Sequence, residues 1–535
     1  MDATPRNPAT RPIPDSHTGD PGWLQSFLLL LATAYAVLLI RFPNPFFADD
    51  SFFYLQIGRN VALGYGSTFN RLMPTNGYHP LWMLVCALVY RLVPGRSAGL
   101  HAIAVVIVLL NLAVLLLAQR LLHRLGASAW IAWTILIPFL FGLQLGTESS
   151  LSAAMLAATL LLLERYLERP TWTFTIAFHC AAILAVLSRL DSIFVIACLW
   201  IAVLVWATQQ ANRKILRRYL ALIPLYAVVW GGYLLSNIVW FHTIMPISGL
   251  LKSSNAGDHR FGQNLPHTAL IALAISAISL MILWRKQRDR WLLYAELPFF
   301  AGIGMHAIYI TLRMTSETRW TWYYVSWALL AALTAARAGT CLLREMRWGA
   351  MLRTAAMVGA VLVSLALWYR MGWKHSKHEK QAWPAMAFEQ SVEGQDHIHS
   401  LLAYDMPGGM AYYSDVSIVP LDGLMGNLPY QQELALHGIW GFIHKDHIEA
   451  FAGPSIPFDA WAKRTYCDAV FLESTRFTCQ PIANGQWTIT GVEVYSRLPF
   501  QPAGYIPLPA SQILWTRPDY ITVWRIADPE KEPGK

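Results

Sequence analysis

The sequence predicts a polytopic α-helical membrane protein with a C-terminal α/β domain outside the membrane. Of its 535 residues, 55% are hydrophobic and only 14% are charged. The mean hydropathy is +0.37. Apolar stretches of spanning length recur along the chain and are separated by short basic clusters.

Taken in order, residues 1–22 carry Pro5, Pro8, Pro12, Pro14 and Pro21 and no apolar core, so they read as a disordered cytoplasmic tail. The segment 23–42 is long enough to span and has no small-residue cleavage site, which makes it an uncleaved anchor helix. Basic residues gather at Arg120 with Arg124, at Arg165 with Arg169, and at 213–218, 285–290 and 337–347. Short cytoplasmic loops collect Lys and Arg, so every segment between two such clusters makes an outward and a return pass. That requirement turns 79–94, only about fifteen residues, into an interfacial helix. It leaves 98–122 as the second span. The remaining spans are 128–145, 148–167, 172–188, 191–208, 219–241, 266–284, 291–312, 323–337 and 349–370, about eleven in all. A membrane module over 23–370 and a soluble domain over 371–535, outside the cytoplasm, follow. The location is the cytoplasmic (inner) membrane.

The formal charge of +9 follows mostly from the cytoplasmic loops and calls for no nucleic acid. Neither zinc-type Cys and His spacing nor a Gly-rich phosphate loop is present. Cys86, Cys180, Cys198 and Cys341 fall in apolar segments and read as core, whereas Cys467 and Cys479 lie in the exported domain. An oxidising compartment allows that pair a disulfide, but spacing does not decide whether it forms.

The stretch 46–82 is the centre of the functional reading. Asp49 and Asp50 open a short amphipathic helix expected to lie on the membrane. Phe52, Leu55, Ile57, Val61 and Leu63 form one side of it, with Gln56, Arg59 and Asn60 opposite. Turn-forming residues then end the helix, through Pro-Thr-Asn-Gly-Tyr-His-Pro at 74–80. Paired acids at a lipid surface are costly unless they bind or react with something.

Further ionisable residues fall on the same outer side. Glu148 sits between two spans, either as an N-terminal capping acid or as part of the site. Arg189 and Asp191 interrupt an apolar run. One reading is a structural salt bridge between them; neighbours two apart point to different sides of a helix, which favours the other, with Arg189 facing a phosphate. The external loop 241–266 carries His242, Lys252, Asp258, His259 and Arg260. Each reads either as a solvated loop charge or as part of a site in which Lys252 and Arg260 hold a phosphate or pyrophosphate, with His242 as a further donor. Arg319 and Tyr323 lie among Trp320, Trp322 and Tyr324, aromatics that serve equally as membrane anchors and as sugar-stacking surfaces. In the exported domain, strands are expected at 416–421 and 468–472.

Asp-Asp-Ser-Phe-Phe-Tyr-Leu-Gln at 49–56, Thr-Asn-Gly-Tyr-His-Pro-Leu-Trp at 75–82, Gly-Thr-Glu-Ser at 146–149 and Arg-Leu-Asp at 189–191 together resemble the C-type (GT-C) glycosyltransferases. The likeness is to the bacterial branch of arabinofuranosyltransferases and protein mannosyltransferase-like enzymes, and covers mainly 23–370. It implies a GT-C-like membrane module, a polyprenyl-phosphate sugar donor, and a glycan, lipid or protein acceptor in the cell envelope. It also implies an acidic residue of the first external loop acting as base or metal ligand, which corresponds here to Asp49 or Asp50. Leu190 stands where that family often has proline.

The residues themselves suit such a transfer. Glycosyl transfer from a lipid phosphate needs a base for the acceptor hydroxyl and positive charge for the departing phosphate. Asp50 is the first candidate base and Asp49 the second. Together they are also the candidate ligands of a divalent cation, Mg or Mn. Arg189, Lys252, Arg260 and Arg319 are the candidates for the phosphate, and His79, Glu148, Asp191, His242 and Tyr323 complete the expected substrate-binding set. The alternatives are a lipid-linked sugar transporter and a non-catalytic envelope assembly protein.

Overall fold

The structure is a computed structural model. It describes residues 22–142, 145–254, 265–314 and 320–345, a few positions between 355 and 366, most of 388–454, and strands between 475 and 525. Among these residues eight helices are long and apolar enough to cross a membrane.

The helices follow the expected order. They are α1 (Gly22–Arg41), α2 (Asp49–Ala62), α3 (Pro80–Leu92), α4 (Arg96–Arg124), α5 (Ala129–Gly142), α6 (Ser149–Glu168) and α7 (Trp172–Ser188). Then come α8 (Ile193–Gln209), α9 (Arg213–Leu220), α10 (Ile223–Phe241), α11 (Ile247–Ser254), α12 (His267–Lys286), α13 (Leu297–Arg313) and α14 (Val325–Glu345). Every expected span from 23–42 to 323–337 has its helix, although the α5 and α7 helices are shorter than a full crossing. The last expected span, 349–370, falls almost wholly outside the described residues. The segment 79–94 is a short apolar helix, α3, as its length implied.

Packing within the bundle depends on small residues and on one buried ion cluster. Helices α8 and α13 meet at Gly302, where an added Cβ would lie 2.5 Å from the Val195 Cα. Toward the end of the bundle remote from α2, Arg337 is buried and bonds Glu296 and Asp289, the latter at 2.6 Å. A charge at that depth is tolerable only when paired.

The C-terminal domain contributes α15 (Pro407–Tyr413) and two sheets. The larger has the order β2-β1-β3-β8-β7, built from β1 (Ser400–Ala403), β2 (Ser417–Pro420), β3 (Ala450–Pro454), β7 (Gln512–Thr516) and β8 (Ile521–Arg525). Its strands β1, β2 and β3 run parallel, and β8 and β7 are added antiparallel. The smaller sheet is antiparallel β4 (Thr475–Pro481), β5 (Trp487–Val494) and β6 (Gly504–Pro507). Strand β2 matches the expected strand at 416–421. The expected strand at 468–472, and the Cys467 and Cys479 side chains, lie outside the described residues.

Helix α2 departs from the expected surface helix. Gln56 and Asn60, assigned to a solvent side, are buried, while Val61 and Leu63 on the apolar side are exposed. The cause is that α2 is enclosed between α3 and α15. Gly58 lies so close to α3 that a Cβ there would be 2.8 Å from the Cys86 Cβ, and the Asn60 amide donates to the Thr68 and Phe69 carbonyls at 2.9 and 3.1 Å.

Overpacking a close helix crossing costs about 1–3 kcal/mol. Gly302→Leu should therefore lower the thermal unfolding midpoint in detergent by several degrees, whereas Gly304→Leu, which has open space around its Cα, should not.

Candidate functional site

The two adjacent aspartates of α2 point to different partners. Successive residues of a helix differ by about 100° in direction, and the two carboxylates are divided accordingly. The Asp49 Oδ1 accepts the Gly409 N–H at 2.7 Å and Oδ2 accepts the Gly408 N–H at 3.0 Å, so Asp49 receives the first turn of α15. An added Cβ at Gly408 would be 2.4 Å from the Asp49 carbonyl oxygen, which fixes glycine at that position. Asp50 instead lines a cavity of roughly 340 Å³ between the helix ends and the C-terminal domain.

That cavity gathers the ends of many elements. Tyr54 comes from α2, Tyr78 and His79 from the turn before α3, Glu148 from the start of α6, and Arg189 and Asp191 from between α7 and α8. Lys252 comes from α11, His306 and Tyr309 from α13, and Trp322 and Tyr323 from the approach to α14. Leu424 and Met425 of the C-terminal domain close the roof. Gly77 makes this closure feasible, because a Cβ there would fall 2.0 Å from the Leu424 carbonyl oxygen. The Asn427 amide donates to the Pro74 carbonyl at 2.8 Å beside it.

Asn76 organises the wall. Its amide donates to Asn237 Oδ1, Thr243 Oγ1 and the Met245 carbonyl at 3.2, 3.1 and 3.4 Å, and its oxygen accepts the Ile247 N–H at 3.1 Å. The turn at 75–79 is thereby joined to the segment that delivers α11 and Lys252.

Arg189 is the electrostatic centre. Its Nη1 donates to Glu148 at 2.5 Å, its Nε and Nη2 bond Asp191 at 2.9 Å, and its guanidinium lies 4.6 Å from the Tyr323 ring centroid. Burial works against the Arg189 charge, and the Asp191 and Glu148 carboxylates more than offset it, so its pKa is raised. The helix-spacing argument against an Arg189–Asp191 pair does not hold, because Arg189 is extended (φ −154°, ψ 112°). A side chain in extended backbone is not bound by helical directions.

Glu148 occupies the position before α6, yet its side chain makes no capping bond. The carboxylate turns to Arg189 and accepts the Tyr54 hydroxyl at 2.8 Å. Burial and the Glu148 carboxylate raise the Tyr54 phenol well above its ordinary value, which keeps it a hydrogen-bond donor.

Two histidines are oriented by their partners. The Leu190 N–H donates to His79 Nδ1 at 3.2 Å, so Nε2 carries the proton, 3.6 Å from Glu148. Burial lowers the His79 pKa, against the opposing pull of Glu148, and the imidazole is neutral at physiological pH. The Trp327 indole N–H donates to His306 Nδ1 at 3.3 Å, which directs its protonated Nε2 at Asp191, also 3.3 Å away.

Lys252 is buried and donates to the Tyr323 hydroxyl at 2.9 Å. Of the expected residues, Asp50, His79, Glu148, Arg189, Asp191, Lys252 and Tyr323 share the cavity. Asp49 does not line it. Nor does His242, which is exposed at the end of α10 in left-handed backbone (φ 58°) that turns the chain away. Arg260 and Arg319 lie outside the described residues. Tyr54 and His306 were not anticipated from the sequence, although a histidine within an apolar span is itself a signal.

The aspartate pair does not fit a shared cation. Both Asp49 oxygens face backbone N–H groups, a setting for an anion, and Asp50 faces elsewhere. Among the described residues no group of three His, Cys, Asp or Glu is arranged to hold a metal ion.

No family model and no curated protein matches the sequence. Among solved structures, the chain is similar to ArnT from Cupriavidus metallidurans bound to undecaprenyl phosphate. The TM-score is 0.57 at 11% identity, covering 96% of this chain and 99% of that one. It also matches the archaeal oligosaccharyltransferase AglB from Archaeoglobus fulgidus, in complex with an inhibitory peptide and a dolichol-phosphate. There the TM-score is 0.45 at 12% identity, covering 81% and 69%. The chain has a GT-C-like fold, that of a polytopic membrane protein.

Removing one partner of a buried ion cluster leaves the others uncompensated, at about 3–5 kcal/mol. Arg189→Ala should therefore abolish the cooperative unfolding transition or lower it by well over 10 °C, while Lys252→Ala, which takes away a donor to the neutral Tyr323 phenol, should shift it far less; differential scanning fluorimetry distinguishes the two.

Proposed function

We propose that the protein is a membrane glycosyltransferase that moves a sugar from a polyprenyl-phosphate donor to a cell-envelope acceptor on the outer face of the cytoplasmic membrane. One observation carries the reading. A carboxylate, Asp50, lines the same cavity at the helix ends as a buried cation, Lys252, in a chain of GT-C-like fold. The neighbour with that fold was solved with undecaprenyl phosphate. The basic clusters lie at the opposite ends of the helices, which supports the outer side for the cavity.

In this mechanism the acceptor hydroxyl approaches C1 of the sugar, and Asp50 takes its proton. The acceptor oxygen bonds to C1 as the C1–O bond to phosphate breaks. The electron pair leaves with the polyprenyl phosphate. Lys252, held by the Tyr323 hydroxyl, offsets the charge that grows on that phosphate. A single displacement of this kind inverts the anomeric centre. Arg189 belongs to the frame here, since its donors are committed to Glu148 and Asp191. It keeps Tyr323 and, through Glu148, Tyr54 in position. Hydroxyls of the sugar meet the His79 Nε2–H, the phenols and the Trp322 side. Asp49 holds the exported domain against α2, and so fixes the direction of Asp50. No divalent cation is required by this scheme, because Lys252 supplies the positive charge.

The test is transfer by the purified protein in lipid, supplied with radiolabelled polyprenyl-phosphate sugars and envelope acceptors. Asp50→Asn and Lys252→Met should each reduce transfer by about 10²-fold or more with the protein still folded. Asp49→Asn should act through domain docking, with a lowered melting point accompanying the loss. Full transfer by Asp50→Asn overturns the assignment of the base, and lipid translocation without transfer would identify a transporter.

A further inference from the structure

A second polar cluster lies away from the cavity, on the far side of α2. Arg59 follows Asp50 by nine residues, about two and a half turns and about 14 Å along the helix, and so faces the opposite direction. There it meets Arg71 and Arg96, with Asp415 and Tyr412 of the exported domain. The carboxylate of Asp415 accepts Arg96 at 2.6 Å and Arg71 at 3.5 Å on the same oxygen. Glu393 is turned to the Asp415 backbone N–H at 3.1 Å. Three guanidinium groups thus share one bonded carboxylate.

The donors are left over in consequence. Among the described residues, the buried Nε and Nη1 of Arg59 and the buried Nε of Arg96 have no hydrogen-bond partner. A buried charged donor without an acceptor costs more than an ordinary lost hydrogen bond, so such a group calls for an explanation by a ligand. The surroundings indicate what kind. Leu63 and Leu72 are exposed in the chain close to Arg59 and Arg71, and Leu84, Leu88 and Leu92 form an exposed apolar stripe on the side of α3 turned from α2, 60–72% accessible. Arginines with exposed apolar side chains near them in the chain suit an anionic headgroup and its acyl chains.

We propose that Arg59, Arg71 and Arg96 form a binding site for a phosphate group, carried by an anionic lipid of the outer leaflet or free in solution. The site is separate from the cavity and independent of the function proposed for it. Bound phosphate supplies the acceptors that Arg59 and Arg96 lack and offsets the repulsion among the three cations. It also joins α2, the loop after it and the start of α4.

The experiment uses the full-length protein in neutral detergent doped with phosphatidylglycerol or phosphatidylcholine, with retained lipid read by native mass spectrometry and inorganic phosphate titrated by thermal shift. Wild type should retain phosphatidylglycerol and not phosphatidylcholine, and Arg59→Gln should reduce retention about tenfold. Arg71→Gln, at a more exposed side chain, should weaken it in the same direction and decides the matter where Arg59→Gln does not fold. Stabilisation of wild type but not of Arg71→Gln by inorganic phosphate, without lipid retention, supports the site with free phosphate as its ligand. Equal retention of the two lipids, retention unchanged in Arg71→Gln, or no response to lipid or phosphate overturns the proposal.

Discussion

The guanidinium of Arg189 is the constraint on which the rest of the site depends. A cation buried where apolar helices end must have its counter-charges supplied by the protein, and they come from two directions: Glu148 before α6 and Asp191 before α8. Each carboxylate then orders a further layer. Glu148 takes up Tyr54, and Asp191 takes up His306. Five helices are therefore held in register by a single side chain, and the cavity stays open because its polar walls are bonded to one another.

The neighbouring aspartates illustrate how a helix divides labour between identical chemistries. Asp49 gives both oxygens to backbone N–H groups of α15 and works as a docking point. Asp50, turned by one residue, faces the cavity. An anion at the first turn of a short helix is a natural contact, and it converts the position of a separate domain into the direction of one carboxylate.

Much of the membrane part was legible in the sequence, because lipid enforces a simple rule. Every spanning segment must be apolar and helical, and the basic residues mark one side. The collection of Asp50, His79, Glu148, Arg189, Asp191, Lys252 and Tyr323 in one cavity was legible for a related reason, since costly groups near lipid gather where they compensate one another. What escaped the sequence was decided by the partner surface. The amphipathic pattern of α2 looks like a helix on a membrane, but α15 covers the side given to solvent, which no local pattern reports. The pairing of Arg189 with Asp191 depends on an extended residue between helices, and His242 is turned outward by left-handed backbone. His306 lay in a span whose apolar average concealed it.

The roof of the cavity has a consequence for how the protein is made. Leu424 and Met425 come from a part of the chain synthesised long after the helices whose ends they cover. The helices are made first, with the Asp49 acceptors and the surface at Gly77 still uncovered. The C-terminal segment must then fold its parallel strands and settle onto this waiting surface. The cavity gains its roof only after residues 424 and 425 have been made, so a chain halted before them leaves the helix ends uncovered.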